Sequence, residues 1–298
     1  MTSPGAGSTL QEGNPSERPL FRGRIGRDAR SGHYAVPHRY RLHLSTACPD
    51  GLRLAVAHSL LALDDSCPVT FLPAEPDHPG GGYAALYPLY EASAHHYAGP
   101  ALAPVLSDDW SGRIVSTHAP DILRDLDRFP REGNAARLYP AGTEDVAEAV
   151  ERMCAEGVEE AAQRAGRADA DPAERAAALE VLLDTLARLE NRLTGERYLV
   201  DDRLTAADID LFVTLVQLDT VHRCHLDAGA VHRIAGHRAL WAYARRLAAH
   251  PAFGRHLDLD GIARRHHGRC AGLEAAGAAV QILDWAGHAA DAPDTFGR

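Results

Sequence analysis

Residues 39–53 read RYRLHLSTACPDGLR, and few backbone paths fit them. Tyr40, Leu42 and Leu44 alternate with more polar neighbours, as a half-buried strand requires. The period then changes, and Leu52, Ala55, Val56, Leu60 and Leu63 recur at helical spacing. Pro49 falls in the first turn of that helix, where a missing N–H costs nothing. The stretch therefore predicts a strand, a tight turn and a helix, with Cys48 at the turn. A thiol there faces unpaired N–H groups and the positive end of the helix dipole, which favour the thiolate, whereas Asp50 in the same turn opposes it. The alternative is an inert buried cysteine, since cysteine is among the most buried residue types.

Further along, CPVTFLP (67–73) reads as a second strand, a glycine-rich loop follows at 80–82, and ALAPVLSD and GRIVST read as two more short strands. APDILRDLDRF reads as a helix. The order β-α-β, a long connection, then β-β-α is that of a thioredoxin-like domain, placed over residues 31–136. Residues 1–30, rich in Gly, Ser, Pro and Arg, are expected to form a flexible arm. From 137 to 298 the signals are helical. Thr143 and Asp171 suit N-caps, and DPAE (171–174) joins a cap, an N1 proline and an N3 glutamate. Leucines at 179, 182, 183, 186, 189 and 193 mark a long amphipathic helix ending near Gly195. In LTAADIDLF, Thr205 and Asp208 form a capping box and Leu204 and Ile209 a hydrophobic staple. RALWAYARRLAAH suggests another helix. The fold class is α/β followed by all-α.

A net charge of -10 offers no basic footprint for nucleic acid. No apolar run suits a membrane span or a signal peptide, so a cytoplasmic protein is expected. All 31 basic residues are arginine, which points to a GC-rich genome such as an actinomycete's. The five cysteines lack a CxxC pair and are expected to be reduced. HRCH (222–225) and HHGRC (266–270) offer imidazole and thiolate groups, but without a recognised zinc spacing no metal is expected.

The sequence resembles the glutathione transferase superfamily and, within it, the Xi class of glutathionyl-hydroquinone reductases. The resemblance runs from about Phe21 to Gly268. It rests on RYRLHLSTACP, on APVLSD followed by IVS, on LYP at 138–140, on the block LARLENRLTGERYLVDDRLTAADIDLFVTLVQLDTVH (186–222), and on LDLDGIARRHH (257–267). It implies a helical glutathione-transferase domain after the thioredoxin-like one, a homodimer, and Cys48 as the nucleophile that attacks the sulfur of a thiol conjugate. It implies glutathione as cosubstrate and a cis-proline at Pro104, flanked by Ala103 and Val105, whose neighbouring backbone binds the thiol.

The departures from that pattern cluster on the expected site. The family's Pro-Trp-Ala-His-Arg run is replaced by Pro49, Asp50, Gly51, Leu52 and Arg53, so Asp50 and Arg53 join the expected thiol-binding set. The Glu-Ser pair that grips the γ-glutamyl group is replaced by His118 and Ala119. Each donor left unmatched there costs roughly 1 to 3 kcal/mol, which brings mycothiol forward as an alternative thiol. His222, His266 and His267 stand where the family has substrate-pocket tyrosines, and imidazoles keep a proton-transfer role near neutral pH. The expected function is a thiol-dependent transferase or reductase acting on a quinone-like or other electrophilic small molecule. A catalytically degenerate binding protein and a histidine-based tailoring enzyme are the alternatives.

Overall fold

Tyr40, Leu42 and Leu44 are fully buried on β1 (Tyr40–Leu44), so the alternation in the sequence becomes one inward face. The computed structural model describes residues 21–129 except 27, 29 and 31, residues 137–270 except 201, and residues 274–285. In the sheet the strand order is β2-β1-β3-β4. β1 pairs in parallel with β2 (Val69–Phe71), after the crossover through helix α1 (Pro49–Leu60). β3 (Val105–Asp108) is antiparallel to β1, and β4 (Arg113–Ser116) is antiparallel to β3 with an irregularity between Leu106 and Ser107. Helix α3 (Ala119–Leu126) closes this part and packs on α1.

The connection after β2 holds one helix that the sequence pattern does not announce, α2 (Tyr87–Ser93). Of its residues only Tyr90 is buried, so it carries no apolar stripe to read. It covers a small second core of Tyr83, Leu86, Tyr90, Ala101, Val105 and Ile114.

Residues 1–20 of the expected arm lie outside the described residues. Residues 22–26 are pinned rather than loose: the Gly23 N–H donates to the Val115 carbonyl at 2.8 Å, and Ile25 is fully buried. Arg24 pairs with both Asp121 and Asp125 of α3 at 2.8 Å, which gives the segment a charge-assisted anchor that its composition conceals. The expected domain boundary at 136 falls in 130–136, also outside the described residues.

The helical part starts with α4 (Glu144–Arg152), widens into a π-helical stretch at Met153–Glu160, and ends in the short α5 (Ala161–Ala165). Gly157 in the widened turn lies against Thr185, whose hydroxyl would stand 2.5 Å from any added Cβ. Thr185 belongs to α6 (Pro172–Leu193), whose first turn is capped by Asp171 through the Ala173 N–H at 2.7 Å. Thr143 precedes α4 but sends its hydroxyl to the Pro140 carbonyl and does not cap. Helix α7 (Ala206–Thr220) is buried around almost its whole circumference and packs on α1 and α4. After a 3-10 turn at His222–His225 come α8 (Ala228–Ala235), α9 (Arg238–Ala248), the short α10 (Pro251–Gly254) and α11 (Leu259–Cys270).

The C-terminal segment is tied back onto α7 by Asp219. This buried carboxylate accepts from the Ile282 and Leu283 N–H groups and the Trp285 indole and pairs with Arg223. Among the described residues no helix is long and apolar enough to cross a membrane.

Candidate active site

Cys48 is the N-cap of α1, with extended backbone angles. Its own N–H donates to the Ser45 carbonyl at 3.1 Å, and its carbonyl starts the helix by accepting from Leu52. The Asp50 and Gly51 N–H groups lie beside the sulfur and favour the thiolate. Burial is the largest influence on the thiol and pushes its pKa above the ordinary value; the nearby Asp50 carboxylate pushes the same way. The two N–H groups and the Arg265 guanidinium oppose this shift without cancelling it.

Arg265 reaches this site from α11, where its Nη1 donates to the Ala74 carbonyl and the Tyr83 hydroxyl, each at 3.0 Å. Sequence reading missed it, although it stands inside the LDLDGIARRHH block. The peptide bond between Ala103 and Pro104 is cis. His43 pairs with Val105, so continuing the antiparallel register sets Pro104 and Ala103 beside the end of β1 that leads into the cysteine turn.

The other expected thiol-binding residues lie in different surroundings. His118 precedes α3 and turns its Nδ1 to Asp121 at 2.8 Å, with an Arg22 nitrogen 3.1 Å away. Arg53 runs under α1 into the helical part, where it meets Glu159 at 2.7 Å, Asp210 at 3.1 Å and Asp50 at 3.3 Å. These four groups line a cavity of about 180 Å³ together with Tyr139, Cys154 and Glu151. One arginine thus serves three carboxylates at the contact between α1 and α7.

Burial pushes the Asp210 carboxyl up to about 6; Arg53 pulls it down, and Glu151, Glu159 and Asp50 add to the rise. A carboxyl whose folded value lies above its unfolded one, near 3.9, stabilises the fold fully below about pH 4 and loses that contribution as the pH rises through about 6. Chemical unfolding at pH 5 and pH 8 should therefore show wild type losing about 1 to 3 kcal/mol more than Asp210→Asn over that interval. Parallel losses in the two proteins would refute the assignment.

Of the three expected pocket histidines, two come together. His222 and His266 are buried, and each carries a pKa below the usual histidine range, His222 down to about 4. Burial is the main cause in both, and nearby imidazoles reinforce it. His267 instead faces solvent, donating its Nδ1–H to the Ala263 carbonyl at 2.7 Å and meeting Glu274 at 3.2 Å through Nε2. The structure adds His225, whose Nε2 stands 3.1 Å from His266 Nε2, and Cys270, 3.2 Å from His266 Nδ1. None of the five cysteines forms a disulfide.

Residues 172–246 match the family description "Glutathione S-transferase, C-terminal domain". The glutathionyl-hydroquinone reductase PcpF of Sphingobium chlorophenolicum is 31% identical over 261 residues, covering 82% of each chain. The chain belongs to the Xi class of the glutathione transferase superfamily. A Xi-class transferase structure from Phanerochaete chrysosporium superposes with a TM-score of 0.71 at 26% identity, covering 84% of this chain and 91% of that one. The glutathione-bound structure of YqjG, a transferase homolog from Escherichia coli K-12, gives 0.72 at 26% identity, covering 84% and 88%. Within this Xi-class chain the expected two-part architecture, a four-stranded α/β unit and a helical unit, is present.

Proposed function

We propose that this Xi-class protein is a thiol-dependent reductase in which Cys48 removes the thiol from a conjugate of a quinone-like small molecule. The observation that carries the reading is the position of Cys48 at the start of α1, beside the Asp50 and Gly51 N–H groups and under the favourable charge of Arg265. The relationship to a glutathionyl-hydroquinone reductase supports it.

In the first step the Cys48 thiolate attacks the conjugate's sulfur and forms a mixed disulfide. The carbon–sulfur bond breaks, its electron pair goes to the ring carbon, and that carbon takes up a proton. A second thiol molecule then attacks the mixed disulfide, releasing Cys48 and leaving a symmetric thiol disulfide. Gly51 stands where a second CxxC cysteine would be, so resolution falls to this external thiol. Arg265 and the two N–H groups stabilise the thiolate as attacking and as leaving group. His222, neutral in its buried position, supplies a hydrogen-bonding wall for the hydroquinone.

The thiol is glutathione or mycothiol. His118, bound to Asp121 and Arg22, stands where the family grips the γ-glutamyl group, which favours a thiol lacking that group. The test is turnover of a menadiol conjugate of each thiol, with the parent thiol as resolving agent. Release of free hydroquinone with one mole of thiol disulfide supports the reading, and no release with either conjugate defeats it. A second reading, a binding protein, is favoured by the raised Cys48 pKa. It predicts saturable binding of both conjugates without release.

A further inference from the structure

The 3-10 turn after α7 and the last turn of α11 bring together side chains that the proposed reaction does not use. His225 Nε2 lies 3.5 Å from Cys270 Sγ and 3.1 Å from His266 Nε2, and His266 Nδ1 lies 3.2 Å from the same sulfur. His266 and Cys270 are four residues apart on α11, hence on one helix face. Cys224 and Glu274 form a second group with His266, their donor atoms also within 4.8 Å of one another.

We infer that His225, His266 and Cys270 bind a single thiophilic divalent cation of the zinc type. The distances fit. Zinc bound to nitrogen at about 2.0 to 2.1 Å and to sulfur at about 2.3 Å separates tetrahedral ligand atoms by roughly 3.3 to 3.6 Å. Only one nitrogen of His266 can bind, Nε2 lying 3.1 Å from His225 Nε2 or Nδ1 lying 3.2 Å from Cys270 Sγ, so the imidazole has to turn to bring that nitrogen to the third ligand. The ligand set is an imidazole and thiolate one, which suits zinc and disfavours magnesium or calcium. Water supplies the fourth ligand. One nitrogen of His266 binds the cation, and Cys270 enters as thiolate, its proton passing to solvent.

The absence of a zinc spacing in the sequence is explained by the geometry. The ligands come from a turn and from a distant helix end, so HRCH and HHGRC are each half of a site. The cation would join α11, which carries Arg265 to Cys48, to the turn that carries His222. It acts as a clamp on the pocket wall and takes no part in the sulfur exchange.

The experiment uses the full chain purified without a histidine tag. Metal analysis and cobalt substitution should give about one ion per chain and a near-ultraviolet sulfur-to-cobalt charge-transfer band. Cys270→Ser should lose the band and Cys48→Ser should keep it. If Cys270→Ser does not fold, maleimide labelling of Cys270 in wild type, read by peptide mass spectrometry, gives the same answer: zinc should slow it at least ~tenfold. A cobalt band that survives Cys270→Ser, unslowed labelling, or a Cys224–Cys270 disulfide in freshly purified protein would overturn the assignment.

Discussion

Cys48→Ser should lower turnover of a thiol-conjugated hydroquinone by at least about 10³-fold, with little change in melting temperature, because the serine hydroxyl cannot form or leave a mixed disulfide. The structure also fixes how the wild-type thiol should behave. Burial and Asp50 hold its pKa above the ordinary value, so iodoacetamide should react with Cys48 more slowly at pH 7 than with an unhindered cysteine. The rate should climb as the pH passes upward beyond the usual thiol range, where the thiolate finally forms. Asp50→Asn removes the nearest opposing charge and should speed alkylation at pH 7 by about 3- to 10-fold. A Cys48→Ser enzyme that retains turnover would place the chemistry elsewhere. An Asp50→Asn protein with an unchanged alkylation profile would show that burial alone sets the thiol.

The strand, turn and helix around Cys48 could be read from the sequence because two periods meet at a proline. The capping box at Thr205 could be read because it is a local pattern with a fixed spacing. Helix α2 could not, since its single buried side chain, Tyr90, leaves no period. The π-helical widening at Met153–Glu160 escaped as well, since it has no local sequence signature and its Gly157 lies against Thr185 of a later helix. The site divides in the same way. Cys48 and Pro104 are placed by local geometry, the first by a helix start and the second by a strand entry. Arg53 stands one turn beyond Cys48 in sequence, yet its direction is decided by Glu159 and Asp210, more than a hundred positions away. The positive charge that acts on Cys48 comes instead from Arg265, on the far end of the chain. His225 had no counterpart in the resemblance, and HRCH showed it only as an imidazole whose partner His266 comes from a distant helix.

Asp208→Ala should have the largest effect on stability. Its carboxylate is wholly buried and accepts four hydrogen bonds: from the Leu199 N–H at 3.0 Å, the Thr205 N–H at 2.8 Å, the Thr205 hydroxyl at 3.0 Å and the Tyr243 hydroxyl at 2.8 Å. It thereby joins the start of α7, the loop before it and helix α9. Alanine leaves all four donors buried without an acceptor, and each orphaned group costs roughly 1 to 3 kcal/mol where water cannot reach it. Relaxation and partial solvent entry keep the total below the sum, at about 3 to 5 kcal/mol. That corresponds to a fall in melting temperature of roughly 6 to 20 °C for a chain of this size. Tyr243→Phe removes one donor and leaves the carboxylate three partners, so it should cost only about 1 kcal/mol. Asp208→Asn should fall between the two, because its amide nitrogen opposes donors that the second carboxylate oxygen accepts. Chemical unfolding of the three variants reads the order directly. A loss below about 1 kcal/mol in Asp208→Ala would mean that water or a rearranged loop satisfies the donors, and that α7 is held in place by its apolar surface alone.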